Sequence, residues 1–79
     1  MKYIIFQEPT GLEYPIVFPE LLGHDFVRNS VRSEYPGVTA IRAGFCNAEG
    51  ACWGQSISLR LSSDIPQDEW LLRKMFKNE

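Results

Sequence analysis

Seventy-nine residues set the scale: a single domain spanning 1–79 with one small core, since independently folding units run from about 50 to 200 residues. At 44% hydrophobic and 23% charged, the chain has the composition of an ordinary globular protein, which excludes a disordered resting state. A formal net charge of −2, from 8 basic and 10 acidic residues, offers no basic field for phosphates and argues against nucleic acid as the main partner.

No apolar run approaches the roughly 20 residues that cross a bilayer. The opening run breaks at Gln7-Glu8-Pro9, too early for a signal peptide. The expectation is a cytoplasmic protein without membrane contact. Two cysteines are too few for a disulfide scaffold in a chain of this size.

Taken in order, Met1 to Gln7 is a near-continuous run of β-branched and aromatic residues, the signature of a strand buried on both sides and central in its sheet. Glu8-Pro9-Thr10-Gly11 is a turn. Leu12 to Phe18 returns as a second strand, and Pro15, which lacks a backbone donor, places it at an edge or delays its start to Ile16. Pro19 to Gly23 connects to a helix from His24 to about Glu34, capped by Gly23. Phe26, Val27, Ser30 and Val31 share its packed side. Tyr35-Pro36-Gly37 ends it, because proline disfavours helix at the residue before it.

Val38 to Leu61 reads as two antiparallel strands. Asn47-Ala48-Glu49-Gly50 suits a type I turn with Gly50 in the left-handed position of the closing bulge. That register pairs Cys46 with Cys52, Phe45 with Trp53, Ala43 with Gln55, Ile41 with Ile57 and Thr39 with Leu59. It sorts the side chains by face. Ile41, Ala43, Phe45, Trp53, Ile57, Leu59 and Leu61 form a large-residue face taken as core. Ala40, Arg42, Gly44, Cys46, Cys52, Gly54, Ser56, Ser58 and Arg60 form a small-residue face left to solvent or an interface. After Ser62-Ser63-Asp64, which carry capping side chains, Pro66 to about Lys77 forms a second helix with Leu71, Leu72, Met75 and Phe76 as its buried stripe. Asn78 and Glu79 are expected to fray. The sum is an α+β domain in two layers, a four-stranded and mainly antiparallel sheet with both helices on one face, in the order ββαββα.

Catalytic patterns are weak. His24 precedes Asp25, but neighbours on a helix point about 100° apart, so adjacency makes no dyad. Ser56 and Ser58 follow Gly54 in mid-strand and lack the strand-to-helix turn of a nucleophile elbow. Cys46, Cys52 and His24 do not have the close-pair spacing of a structural zinc site, and no glycine-rich phosphate loop is present. The expectation is a chain that is not an enzyme, with no cofactor and no metal.

What stands out is the surface framed by Arg42 and Arg60 and lined by Gly44, Cys46, Cys52, Gly54, Ser56 and Ser58. Exposed strands more often carry Thr, Lys or Glu, so a covering protein partner is expected there. A second copy of the chain is the simplest choice. The competing expectation is a small regulatory nucleic-acid binder using Arg28, Arg32, Arg42 and Arg60.

In Pro15-Ile-Val-Phe-Pro19 followed by Leu22-Gly-His24, in Ala43-Gly-Phe45, and in Gly54-Gln-Ser-Ile-Ser-Leu59 leading to Ser62, the chain resembles small proteins encoded by phages and prophages. The resemblance spans about half the chain and lends no catalytic residues. It implies a bacterial or phage source, cytoplasmic expression and an accessory role.

Overall fold

The computed structural model describes residues 1–77, in which six strands and two helices succeed one another. They are β1 (Lys2–Gln7), β2 (Glu13–Phe18), α1 (His24–Glu34), β3 (Thr39–Cys46), β4 (Cys52–Trp53), β5 (Gln55–Ser56), β6 (Leu61–Ser62) and α2 (Ile65–Phe76). The expected fraying of Asn78 and Glu79 lies outside the described residues.

The antiparallel sheet has the order β2-β1-β3-β4, so β1 is internal and the proline-bearing β2 is an edge, as the sequence predicts. Tyr3, Ile4, Ile5 and Phe6 are all 0% exposed. The β1–β2 turn closes through Gly11 N–H donating to Glu8 O at 2.8 Å, with Gly11 at φ +94°.

The helices do not share a face. Tyr3 and Ile5 pack with Leu71 and Leu72 of α2, whereas Ile4 and Phe6 pack with Val27 of α1, Phe18 and Val38. The domain is therefore three layers deep, correcting the expected two-layer arrangement. The cause lies in β1 itself: alternate side chains point to opposite faces, and a strand apolar at every position needs cover on both.

A bulge shifts the phase of β3. Ile5 opposes Arg42 and Phe6 opposes Ala40, so Ile41 is the extra residue and turns toward the α2 layer. Ala40 turns toward the α1 layer instead. Strict alternation predicted the reverse for both.

The turn after β3 forms as expected. Gly50 N–H donates to Asn47 O at 3.1 Å, Asn47 Oδ1 accepts from Glu49 and Ala51, and Gly50 sits at φ +90°. A Cβ at Gly50 would lie 2.5 Å from Arg73 Cγ, so glycine also lets α2 pass over the turn. Phe45 pairs with Trp53 and Cys46 with Cys52. The ladder then stops. Gly54, at φ +77°, turns the chain out of the sheet, and β5 pairs with β6 in a separate ribbon. The expected pairs Ala43–Gln55, Ile41–Ile57 and Thr39–Leu59 do not form, and the single long return strand becomes three short ones.

Helix α1 starts at His24 behind an extended Gly23, as predicted, but its packed side is His24, Val27 and Val31. Phe26 and Ser30 face outward. Helix α2 is capped at Asp64 without help from that side chain; the backbone N–H of Asp64 donates instead to Asp68 Oδ2 at 3.0 Å.

Candidate interaction surface

The small-residue face is largely interior. Cys46 and Cys52 are buried under Leu71 and Leu72, and Gly44 is packed so closely that a Cβ there would collide with Ser63 Oγ. Ser56 is buried, its hydroxyl accepting the Leu59 N–H at 3.2 Å inside the turn that follows β5. Of the eight residues assigned to that face, Gly54, Ser58 and Arg60 remain exposed, but in the ribbon rather than on a flat sheet. The chain's own α2 covers the surface for which a partner was expected.

Arg42 is drawn inward. Its Nε donates to Asp68 Oδ1 at 2.6 Å and its Nη2 pairs with Glu13. The other Asp68 oxygen accepts the Tyr3 hydroxyl at 2.6 Å. Asp68 is 0% exposed, and its two oxygens accept from three donors: the Tyr3 hydroxyl on β1, the Arg42 guanidinium on β3 and the Asp64 N–H at the start of α2. Burial opposes the charge on Arg42, but hydrogen bonds from the guanidinium to Glu13 and Asp68 outweigh it and leave its pKa raised. Burial, followed by the bond to Asp68, pushes the Tyr3 phenol far above its ordinary value, so it stays a neutral donor. This is a structural clamp with no opening to solvent around Asp68. Sequence reading assigned Asp68 to the helix dipole and missed the clamp, because its members lie on four separate elements.

His24 and Asp25 do not form a dyad. His24 is 5% exposed, and its Nε2 donates to the Gly44 carbonyl at 3.0 Å between the edges of Phe18 and Phe45. Burial lowers its pKa, which favours the neutral ring. Asp25 is exposed at the start of α1. Nor do the cysteines approach His24, since they lie on the α2 side of the sheet and His24 on the α1 side. Burial raises both thiols above their ordinary value and keeps them protonated.

Exposed apolar surface gathers elsewhere on the same segment. Trp53, expected in the core, is 48% exposed, and Ile57 is 83% exposed at the tip of the ribbon. They border a groove of about 500 Å³ together with Phe45, Gly54, Gln55 and Ser58, with His24 and Ser56 at its floor. The ribbon is held rigidly: Ser63 Oγ donates to Gly54 O at 2.8 Å, and Arg60 N–H closes the tip onto Ile57 O at 3.2 Å. The strong turn chemistry of Gly54 was the available signal for this excursion, since a glycine inside a strand pattern often marks a bend.

The arginine reading loses its central member to the clamp. Arg28 and Arg32 border a groove with Leu59 and Leu61, and Arg60 borders the neighbouring one. Among the described residues, no helix is long and apolar enough to cross a membrane.

The fold and site thus define a small α+β protein with an internal polar clamp and an apolar ribbon. No protein-family model matches the chain, and neither a curated protein nor a solved structure is detectably similar to it.

Proposed function

We propose that the protein is a non-enzymatic protein-interaction module whose contact surface is the Trp53–Ile57 end of the 38–61 segment. One observation carries the reading: two large apolar side chains, Trp53 at the end of β4 and Ile57 at the tip of the braced ribbon, are held out to solvent beside one groove. A Trp and an Ile exposed side by side cost hydration free energy in a free monomer, and such patches commonly mark contact sites. The burial of both cysteines, and of His24 and Asp68 with hydrogen-bond partners inside the protein, supports a structural rather than a catalytic use of those residues.

A cytoplasmic setting and a phage or prophage accessory role belong to this proposal and rest on the sequence pattern alone. The partner is a protein surface of apolar character, and a second copy of the chain is the first to test. Light scattering on the wild-type protein and on Ile57→Asp, with circular dichroism as a check on folding, gives the answer. A dimer that Ile57→Asp splits supports self-association. If both are monomeric, a photo-crosslinking side chain at position 57 should capture a bacterial or phage protein, and one at Glu20 should not. Equal capture at both positions, or none at 57, would remove the reading.

A further inference from the structure

A second groove, distinct from the ribbon, opens at the C-terminal end of α1. Its volume is about 680 Å³, and it lies between the β1–β2 turn and the α1–β3 connector. The two loops touch, since a Cβ on Gly37 would lie 3.2 Å from Pro9 Cγ. Ile16, Val31 and Val38 give it apolar walls continuous with the core around Phe6.

Two tyrosines and two glutamates line this groove. Tyr14 is stacked on Phe6, with ring centroids 6.2 Å apart, so its position is set by the core. Tyr35 stands exposed on the connector. Glu8 and Glu34 reach the same opening. Among the described residues the ion pairs are Arg42–Glu13, Arg42–Asp68 and Arg73–Glu69, which leave Glu8 and Glu34 without a cationic partner. Arg28 and Arg32 border the adjoining groove beyond Pro36 and Val38. Burial, followed by the negative charge of Glu8, raises the Tyr14 phenol above its ordinary value, which agrees with the two groups being neighbours.

Aromatic faces combined with unpaired carboxylates are complementary to a cation that is itself flat and weakly hydrated. A guanidinium meets both requirements: it stacks on tyrosine and forks to a carboxylate, whereas an ammonium is a compact, strongly hydrated charge. The apolar walls exceed what one guanidinium covers, so the remainder fits aliphatic neighbours in the same segment.

We propose that this groove docks an arginine side chain from an apolar segment of a partner protein, with the guanidinium against Tyr14 and Tyr35 and paired with Glu8 and Glu34. The site is independent of the Trp53–Ile57 ribbon, and either can fail without the other.

The test is a titration of the full chain, followed by amide NMR, with the blocked peptide acetyl-Leu-Arg-Leu-amide. The controls are the same peptide carrying citrulline or lysine in place of arginine. Shifts confined to Tyr14, Ile16, Val31, Tyr35 and Val38 are expected, with a dissociation constant of about 1 mM for so short a probe. Citrulline should weaken binding at least about fivefold, and the double variant Glu8→Gln with Glu34→Gln should do so by about tenfold while leaving the rest of the spectrum unchanged. Three outcomes overturn the proposal: no shifts at about 10 mM peptide, equal binding of the citrulline or lysine peptide, or shifts centred on Ile57.

Discussion

The hydroxyl of Tyr3 donates to Asp68 Oδ2 at 2.6 Å, tying the first strand to the last helix across 65 positions of sequence. Arg42 holds the other oxygen of the same carboxylate from the middle strand. The chain thus closes around one buried charge, and the removal of either partner has a predictable cost.

Arg42→Met keeps the aliphatic stem but leaves Asp68 buried without its cation. A loss on the order of 3 to 5 kcal/mol is expected in urea melts, because a buried ion robbed of its partner remains desolvated. A loss below about 1 kcal/mol would show that the Arg42–Asp68 pair contributes little to the fold.

Leu72 and Trp53, both expected in the core, now separate. Leu72→Ala, beneath the sheet, should cost about 2 to 5 kcal/mol through the cavity it leaves. Trp53→Ala, at a half-exposed position, should cost only about 1 kcal/mol. Equal losses at the two positions would place Trp53 in the core after all.

Alkaline pH should unfold the protein from a predictable starting point. Tyr3, Cys46 and Cys52 all have folded-state pKa values raised by burial above the ordinary 10.0 and 9.0. Each therefore contributes stability that is complete below its ordinary value. That contribution declines as the pH climbs past it and the unfolded chain alone gives up the proton. Melting temperature should fall from about pH 9 upward, and in Cys46→Ala with Cys52→Ala the decline should begin about one pH unit later. A flat profile to pH 11 would contradict the burial of these groups.

At the acidic end His24 acts in the opposite sense. Its folded pKa is lowered from 6.5, mainly by burial, so its contribution is complete above that value and is lost as the pH falls below it. The acid-side loss of stability between pH 6.5 and 5 should be shallower in His24→Gln, which can still donate to Gly44, than in the wild type.

Arg60 sits at φ +57°, the one non-glycine residue with positive φ among those described. Side chains strain that conformation by about 1 kcal/mol, so Arg60→Gly should stabilise the protein by a similar amount. Loss of stability instead would mean that the Arg60 side chain makes a stabilising contact.

Local chemistry was legible in the sequence. The Asn47–Gly50 turn, the edge position of the strand carrying Pro15, the start of α1 after Gly23 and its end before Pro36, and the Cys46–Cys52 pair each follow from the φ range, hydrogen-bonding capacity or side-chain alternation of a few adjacent residues. Even the need for two covering layers was present, in the unbroken Tyr3-Ile4-Ile5-Phe6 run. Three decisions belonged to the tertiary structure alone. The bulge at Ile41 reversed the faces of Ala40 and Ile41, Gly54 led the chain out of the sheet, and α2 settled on the small-residue face over Cys46 and Cys52. Gly54 marks a bend locally, but no local rule selects the path beyond it, the bulge or the seat of α2, because each is set by which distant surface is buried against which. The cysteines that looked like a bare surface are small because α2 lies against them, and Gly44 beside them is small because Ser63 and the backbone of Trp53 and Gly54 crowd it.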